Sequence, residues 1–162
     1  MQVVSTGEIT RKNQITHDQK ETRNELPCES GVVMQAWSSY GVEWPVVYEY
    51  LGIRPDLPQG EISIIPELPS TRPNLSIDNV RIGNGTVSAS TSHAGNQYTT
   101  TATVSRGLRV HIGYALPAYS NIATVTLNGN PAAYQLKDTH RGREIIVTTN
   151  SGQTLQLVII VQ

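Results

Sequence analysis

Trp37, Tyr40, Trp44, Tyr48 and Tyr50 crowd into one short stretch, with Gln35 and Glu43 among them. Sugars stack their apolar C–H faces on such rings, and their hydroxyls need polar neighbours of the kind Gln35 and Glu43 supply. Trp37, Tyr40 and Trp44 recur at helical steps of three and four, which is also how a packing face is spaced. Spacing alone favours packing. Just upstream stand Glu21, Glu25 and Glu29. Glycoside hydrolysis uses two carboxyl groups roughly 5–9.5 Å apart across the scissile bond. Glutamates in a polar segment are usually solvated, and no second member of a pair is marked.

Other chemistries find less support. The four histidines, His17, His93, His111 and His140, have no metal-ligand spacing. Cys28 is the single cysteine, so no internal disulfide and no cysteine-based metal cluster can form. It reads as an ordinary reduced thiol. Gly83-Asn84-Gly85 is a hairpin turn rather than a phosphate loop, because no helix follows to present its amides. His111 alternates with Val110 and Ile112 and is expected at a surface or rim position. The serines and threonines of residues 86–105 read as solvent-facing strand positions. No cofactor and no metal is implied.

The elements that must position these residues change character along the chain. Residues 1–30 are mostly polar and bury too little apolar area to offset their ordering entropy. Ser30 then suits a helix N-cap. Val33, Trp37, Tyr40, Trp44, Val47 and Leu51 fall on one helical face. Pro45 breaks that helix and suits the first turn of a second one, running to Tyr50 with Gly52 as its C-terminal cap. Pro55 and Pro58 force an extended exit. The period becomes two beyond Pro58. Turn signals at 83–85, 94–96, 106–107, 128–129, 141–142 and 150–152 separate short alternating strands. Asn128-Gly129 is a type I′ hairpin signal between Val125-Thr126-Leu127 and a strand expected over 132–136. The nearly all-apolar last strand, residues 155–161, is expected to be central or covered on both faces.

The fold class expected is mainly β: an antiparallel β-sandwich of about eight strands preceded by a short helical segment. Residues 1–30 form a polar segment, 31–59 a helical segment and linker, and 60–162 the sandwich domain. A net charge of −1 leaves no electrostatic footprint for nucleic acid or an anionic membrane. No apolar run approaches the roughly 18–20 residues that span a bilayer, and the N-terminus lacks signal-peptide character. A soluble chain is expected, with its compartment unassigned.

Several blocks resemble a known family. They are Met34-Gln35-Ala36-Trp37, Tyr40-Gly41, Trp44-Pro45-Val46-Val47, Leu51-Gly52-Ile53-Arg54-Pro55-Asp56, Gly60 and Ile65-Pro66-Glu67-Leu68-Pro69. Together they resemble the last helical hairpin and exit strand of bacterial six-hairpin α/α-barrel glycosidases, the group of α-L-rhamnosidases and glycogen-debranching-like proteins. Asn79-Val80-Arg81-Ile82-Gly83-Asn84-Gly85, Ile112-Gly113-Tyr114-Ala115-Leu116-Pro117 and Val125-Thr126-Leu127-Asn128-Gly129 resemble the C-terminal β-sandwich that follows such a barrel.

The resemblance implies a C-terminal region of a glycoside hydrolase-like protein, acting in carbohydrate metabolism within the full-length protein. Gln35 and Trp37 then line the sugar pocket, and Trp44 counts among the substrate-binding residues. Glu25 or Glu29 is the candidate general base. The general acid comes from an earlier barrel hairpin, so the chain alone is expected to be inactive. Two other readings stand beside this one. The first is a carbohydrate-binding sandwich presenting Tyr98, Tyr114 and Tyr134 on an exposed face. The second is a structural accessory domain. In each case the face of Val33, Trp37, Tyr40, Trp44 and Leu51 needs a partner. It is expected to dock on the sandwich or to form a homodimer.

Overall fold

The computed structural model describes Gly41 and residues 44–162. A wide helical turn, Pro45–Tyr50, leads into the sheets. Gly41 and Trp44 before it are already helical, Trp44 at φ −56° and ψ −54°, so the break expected between Gly41 and Trp44 is not seen at these residues; the backbone widens at Pro45 instead. The turn closes with Leu51 N–H donating to the Val46 carbonyl at 3.0 Å, a five-residue step wider than an α-helical one. Gly52 follows at φ 61°, the left-handed conformation that ends helices without a Cβ penalty.

Among the described residues, eleven strands make two sheets. They are β1 (Ile53–Asp56), β2 (Glu61–Ile64), β3 (Asn74–Ile82), β4 (Gly85–Ala94), β5 (Gln97–Val104), β6 (Arg109–Leu116), β7 (Ile122–Leu127), β8 (Asn130–Pro131), β9 (Gln135–Thr139), β10 (Gly142–Asn150) and β11 (Leu155–Val161). The first sheet has the order β1-β2-β6-β10-β9 and the second β3-β4-β5-β11-β7-β8. The mainly β architecture is thus present, with more strands than the turn spacing indicates, because β1, β8 and β9 are short. The first sheet already includes β1, upstream of residue 60, with Ile53 opposite Ile64. All pairs are antiparallel save β2 and β6, which run parallel with Glu61 opposite Arg109. That exception follows from connectivity. The chain leaves the first sheet after β2, builds β3, β4 and β5 in the second, and returns as β6.

Alternation sorts the faces. Ile62 and Ile64, then Val110, Ile112, Tyr114 and Leu116, then Ile145 and Val147 point inward from the first sheet. Val87, Ala89, Ala102, Val104, Val125, Leu155, Leu157 and Ile159 meet them from the second. β11 lies between β5 and β7, the central place its apolar run requires. Leu51 joins this core at 1% exposure, with Val46 and Val47 packed against it. Leu51 is therefore spent on the sandwich and is not on offer to a second copy. Val33, Trp37 and Tyr40 lie outside the described residues.

Two expectations change. The strand expected over 132–136 is divided. Asn128 (φ 50°) and Gly129 (φ 79°) make the type I′ turn, so β8 folds back on β7. Pro131 has no N–H for a longer ladder, and pairing ends with Ala132 N–H to the Val125 carbonyl. The chain then crosses to the first sheet as β9. The hydroxyls of 86–105 are also not all at the surface. Thr91 and Thr100 are buried, because they sit in register with the inward residues of β4 and β5.

Candidate functional site

The outer face of the first sheet carries a concentration of charged and polar side chains with room beside them. Register sets the first row: Arg54 lies opposite Ser63, Ser63 opposite His111, and His111 opposite Thr148. Directly opposed side chains in a sheet sit about 5 Å apart, so four strands present one continuous polar row. His111 Nδ1 meets the Thr148 hydroxyl at 3.0 Å, and its Nε2 lies 3.4 Å from Glu61 Oε2. Arg109 Nη1 donates to Glu61 Oε1 at 3.0 Å. His111 is half-buried, as its alternation with Val110 and Ile112 indicates.

Beside this row lies a groove of about 220 Å³. Gly52, Ile65 and Ile146 give it apolar lining, and Arg54, Ser63, His111, Gln135, Lys137, Arg141 and Glu144 give it polar lining. Gly113 is central to the same face, between Ile146 and the side chain of Ile65. A Cβ there would collide with the Ile145 carbonyl, so the position accepts no side chain.

Arg141 closes one end of the groove. Its side chain is 5% exposed, and each of its three nitrogens is directed at a partner. Nε reaches Glu67 Oε2 at 2.9 Å and Nη1 reaches Glu144 Oε1 at 3.5 Å. Nη2 donates to the Glu49 carbonyl at 3.1 Å and the Ile65 carbonyl at 2.9 Å. One guanidinium thus ties the helical turn, the segment after β2 and β10 together. A charge this buried is tolerable only when paired and fully hydrogen-bonded. Two backbone bonds secure the same junction: Ile65 N–H to the Gly52 carbonyl at 3.2 Å, and Glu67 N–H to the Tyr50 carbonyl at 3.0 Å.

The arrangement offers hydrogen-bond donors, and its cations and carboxylates are largely paired with one another. It holds no activated nucleophile. Ser63 neighbours His111, yet both ring nitrogens of His111 meet Thr148 and Glu61 instead. Glu61 is held by Arg109, and Glu144 by Arg141 and the Thr139 hydroxyl. Among the described residues no group of three or more His, Cys, Asp or Glu side chains could hold a metal ion. No helix there is long and apolar enough to cross a membrane.

No protein-family model and no curated protein matches this chain.

The expected site residues fall elsewhere. Glu25, Glu29, Gln35 and Trp37 lie outside the described residues. Trp44 stands at the head of the helical turn, 38% exposed, with its ring stacked on Tyr48 at 3.8 Å between centroids. It does not line the groove. The exposed tyrosine platform is not formed. Tyr114 is 2% exposed and meets Tyr98 edge-on inside the sandwich, at 4.9 Å between centroids. The two rings come from opposite sheets and fill the core between them. Tyr134 is exposed but belongs to the crossing before β9.

Sequence reading missed Arg141, Lys137 and Gln135. Arg141 reads as the first residue of a turn before Gly142, a place where an arginine is unremarkable. Only its partners, from residue 49 to residue 144, give it a role.

Proposed function

We propose that this chain is the C-terminal β-sandwich region of a glycoside hydrolase-like protein. It acts in carbohydrate metabolism within the full-length protein and does not catalyse on its own. The sandwich serves as a rigid seat for the helical segment that enters it.

One observation supports this reading above others. The blocks that resemble the barrel exit, residues 44–56 and 65–69, meet at a single place on the sandwich. Arg141 bonds both, through the Glu49 carbonyl and through the Ile65 carbonyl and Glu67. A buried guanidinium holds the entering segment firmly on the sandwich, where a flexible linker would leave it loose. The polar face lacks a nucleophile–base pair, which fits a region that supports catalysis elsewhere.

Two measurements test the proposal. The 162-residue chain, offered aryl glycosides, is expected to give no saturable hydrolysis. The reading frame extended upstream is expected to encode an α/α barrel, and the longer protein to hydrolyse glycosides. An upstream frame without a barrel, or turnover by the chain that disappears on substituting Glu61 or Glu144, would overturn it.

A further inference from the structure

We infer that the groove on the outer face of the first sheet binds a sugar unit carrying a carboxylate. Its cations are the first reason. Arg54 and Lys137 stand at the groove, and the one carboxylate in its lining, Glu144, is already engaged by Arg141 and Thr139. A lining with two exposed cations and a neutralised acid attracts an anion.

The second reason is unspent hydrogen-bonding capacity. Lys137, Ser63 and Gln135 make no side-chain hydrogen bond to any described residue, although each lines the groove. Arg54 is held only by an exposed pair with Glu49 at 3.7 Å and a long bond to the Tyr48 carbonyl at 3.5 Å. Exposed pairs of this kind contribute little, so the guanidinium can turn to a ligand at small cost. A guanidinium and an ammonium together suit a carboxylate, the first through paired parallel bonds and the second as a point charge.

The third reason is the lining between these groups. Ile65 and Ile146 supply apolar surface there. A small anion such as acetate has no use for it. A pyranose has an apolar C–H face to lay on it, with hydroxyls left to reach Ser63 and Gln135. The volume of about 220 Å³ suits one monosaccharide unit. The site is built for recognition, since the His111 ring and the Glu144 carboxylate that line it are both held by neighbouring side chains.

The choice of a sugar rests on the carbohydrate reading above; the attraction for an anion does not. The test is a titration of the whole chain, followed by amide chemical shifts, with glucuronate, glucose and acetate in separate arms. Glucuronate is expected to saturate, with shifts at Ser63, His111 and Gln135, and to bind about tenfold or more tightly than glucose or acetate. Arg54→Ala and Lys137→Ala are each expected to weaken glucuronate about three- to tenfold, and together to abolish saturation. Both side chains are exposed, so folding should survive, and far-ultraviolet circular dichroism checks that it does. Arg143→Ala, which removes a cation already bonded to Asp138 and Ser120, is expected to leave binding unchanged. Absence of saturation overturns the inference. So does glucuronate binding no tighter than acetate, or binding indifferent to the double substitution. None of these results bears on the hydrolase-region reading, which stands on the upstream frame and the hydrolysis assay.

Discussion

The Thr100 hydroxyl donates to the Gly113 carbonyl oxygen at 2.9 Å, a hydrogen bond that crosses the sandwich from β5 to β6. Thr100 is 1% exposed, so water cannot take over either role. The Tyr114 phenol also hydrogen-bonds the Thr91 side chain from β6 to β4, and apolar packing between the sheets is non-directional. These bonds therefore help fix how one sheet sits on the other.

Thr100→Val keeps the shape and removes the donor. The Gly113 carbonyl then stays buried without this partner, at a cost of about 1–3 kcal/mol. Urea denaturation should show a lower midpoint with an unchanged slope. An unchanged midpoint would mean that the bond contributes nothing.

Arg141→Met strips four hydrogen bonds and leaves the Glu144 carboxylate buried without its cation. Removing one partner of a buried pair costs about 3–5 kcal/mol. The double variant Arg141→Met with Glu144→Gln should recover part of that loss, because the group left behind is neutral. Amide exchange at Leu51, Ile65 and Glu67 should quicken in the single variant if the guanidinium holds the junction.

Gly52→Ala and Gly60→Ala make a matched pair, at φ 61° and 69°. Both put an L-residue in the left-handed region, which costs about 1 kcal/mol. A Cβ at Gly60 meets nothing within 4 Å, whereas one at Gly52 would overlap the Ile65 carbonyl that also receives Arg141. Thermal unfolding should therefore show a loss of about 1 kcal/mol for Gly60→Ala and at least about 2 kcal/mol for Gly52→Ala. Equal losses would show that the approach at Ile65 relaxes freely.

Burial pushes the Tyr114 phenol up from 10.0 to about 12, only partly offset by hydrogen bonds with the Leu68 backbone and the Thr91 side chain. The folded state thus holds this proton at a pH where the unfolded chain has released it. Its contribution is fully present below pH 10 and is lost as pH rises towards 12, about 2–3 kcal/mol in all. Stability measured by denaturant between those limits should fall with pH, and Tyr114→Phe should flatten the slope. Ultraviolet titration should show one phenol ionising well after the others.

Much of the fold was legible in local pattern. Alternation in Glu61-Ile62-Ser63-Ile64 and in Val110-His111-Ile112 named the buried and exposed sides correctly, because a strand's two faces follow from its backbone. Asn128-Gly129 announced its turn, since few residue pairs tolerate two positive φ values. Gly52 ended the helical turn for an equally local reason. Where the reading failed, the deciding contacts were distant. Thr100 is buried because Gly113 faces it from another sheet. Tyr114 left the surface, and Tyr98 is half-buried against it, because their sheets close on each other.

The sequence by itself determined most of the longer strands, which of their side chains share a face, and where the chain turns between them. Those are properties of a few neighbouring residues and their dihedral preferences. Tertiary structure alone decided that β2 lies parallel beside β6, and hence that Arg54, Ser63, His111 and Thr148 form one row. It also decided that Arg141 reaches back to Glu49, Ile65 and Glu67. Strand order and long-range partners depend on how the whole apolar surface is buried at once, and no local period records that outcome.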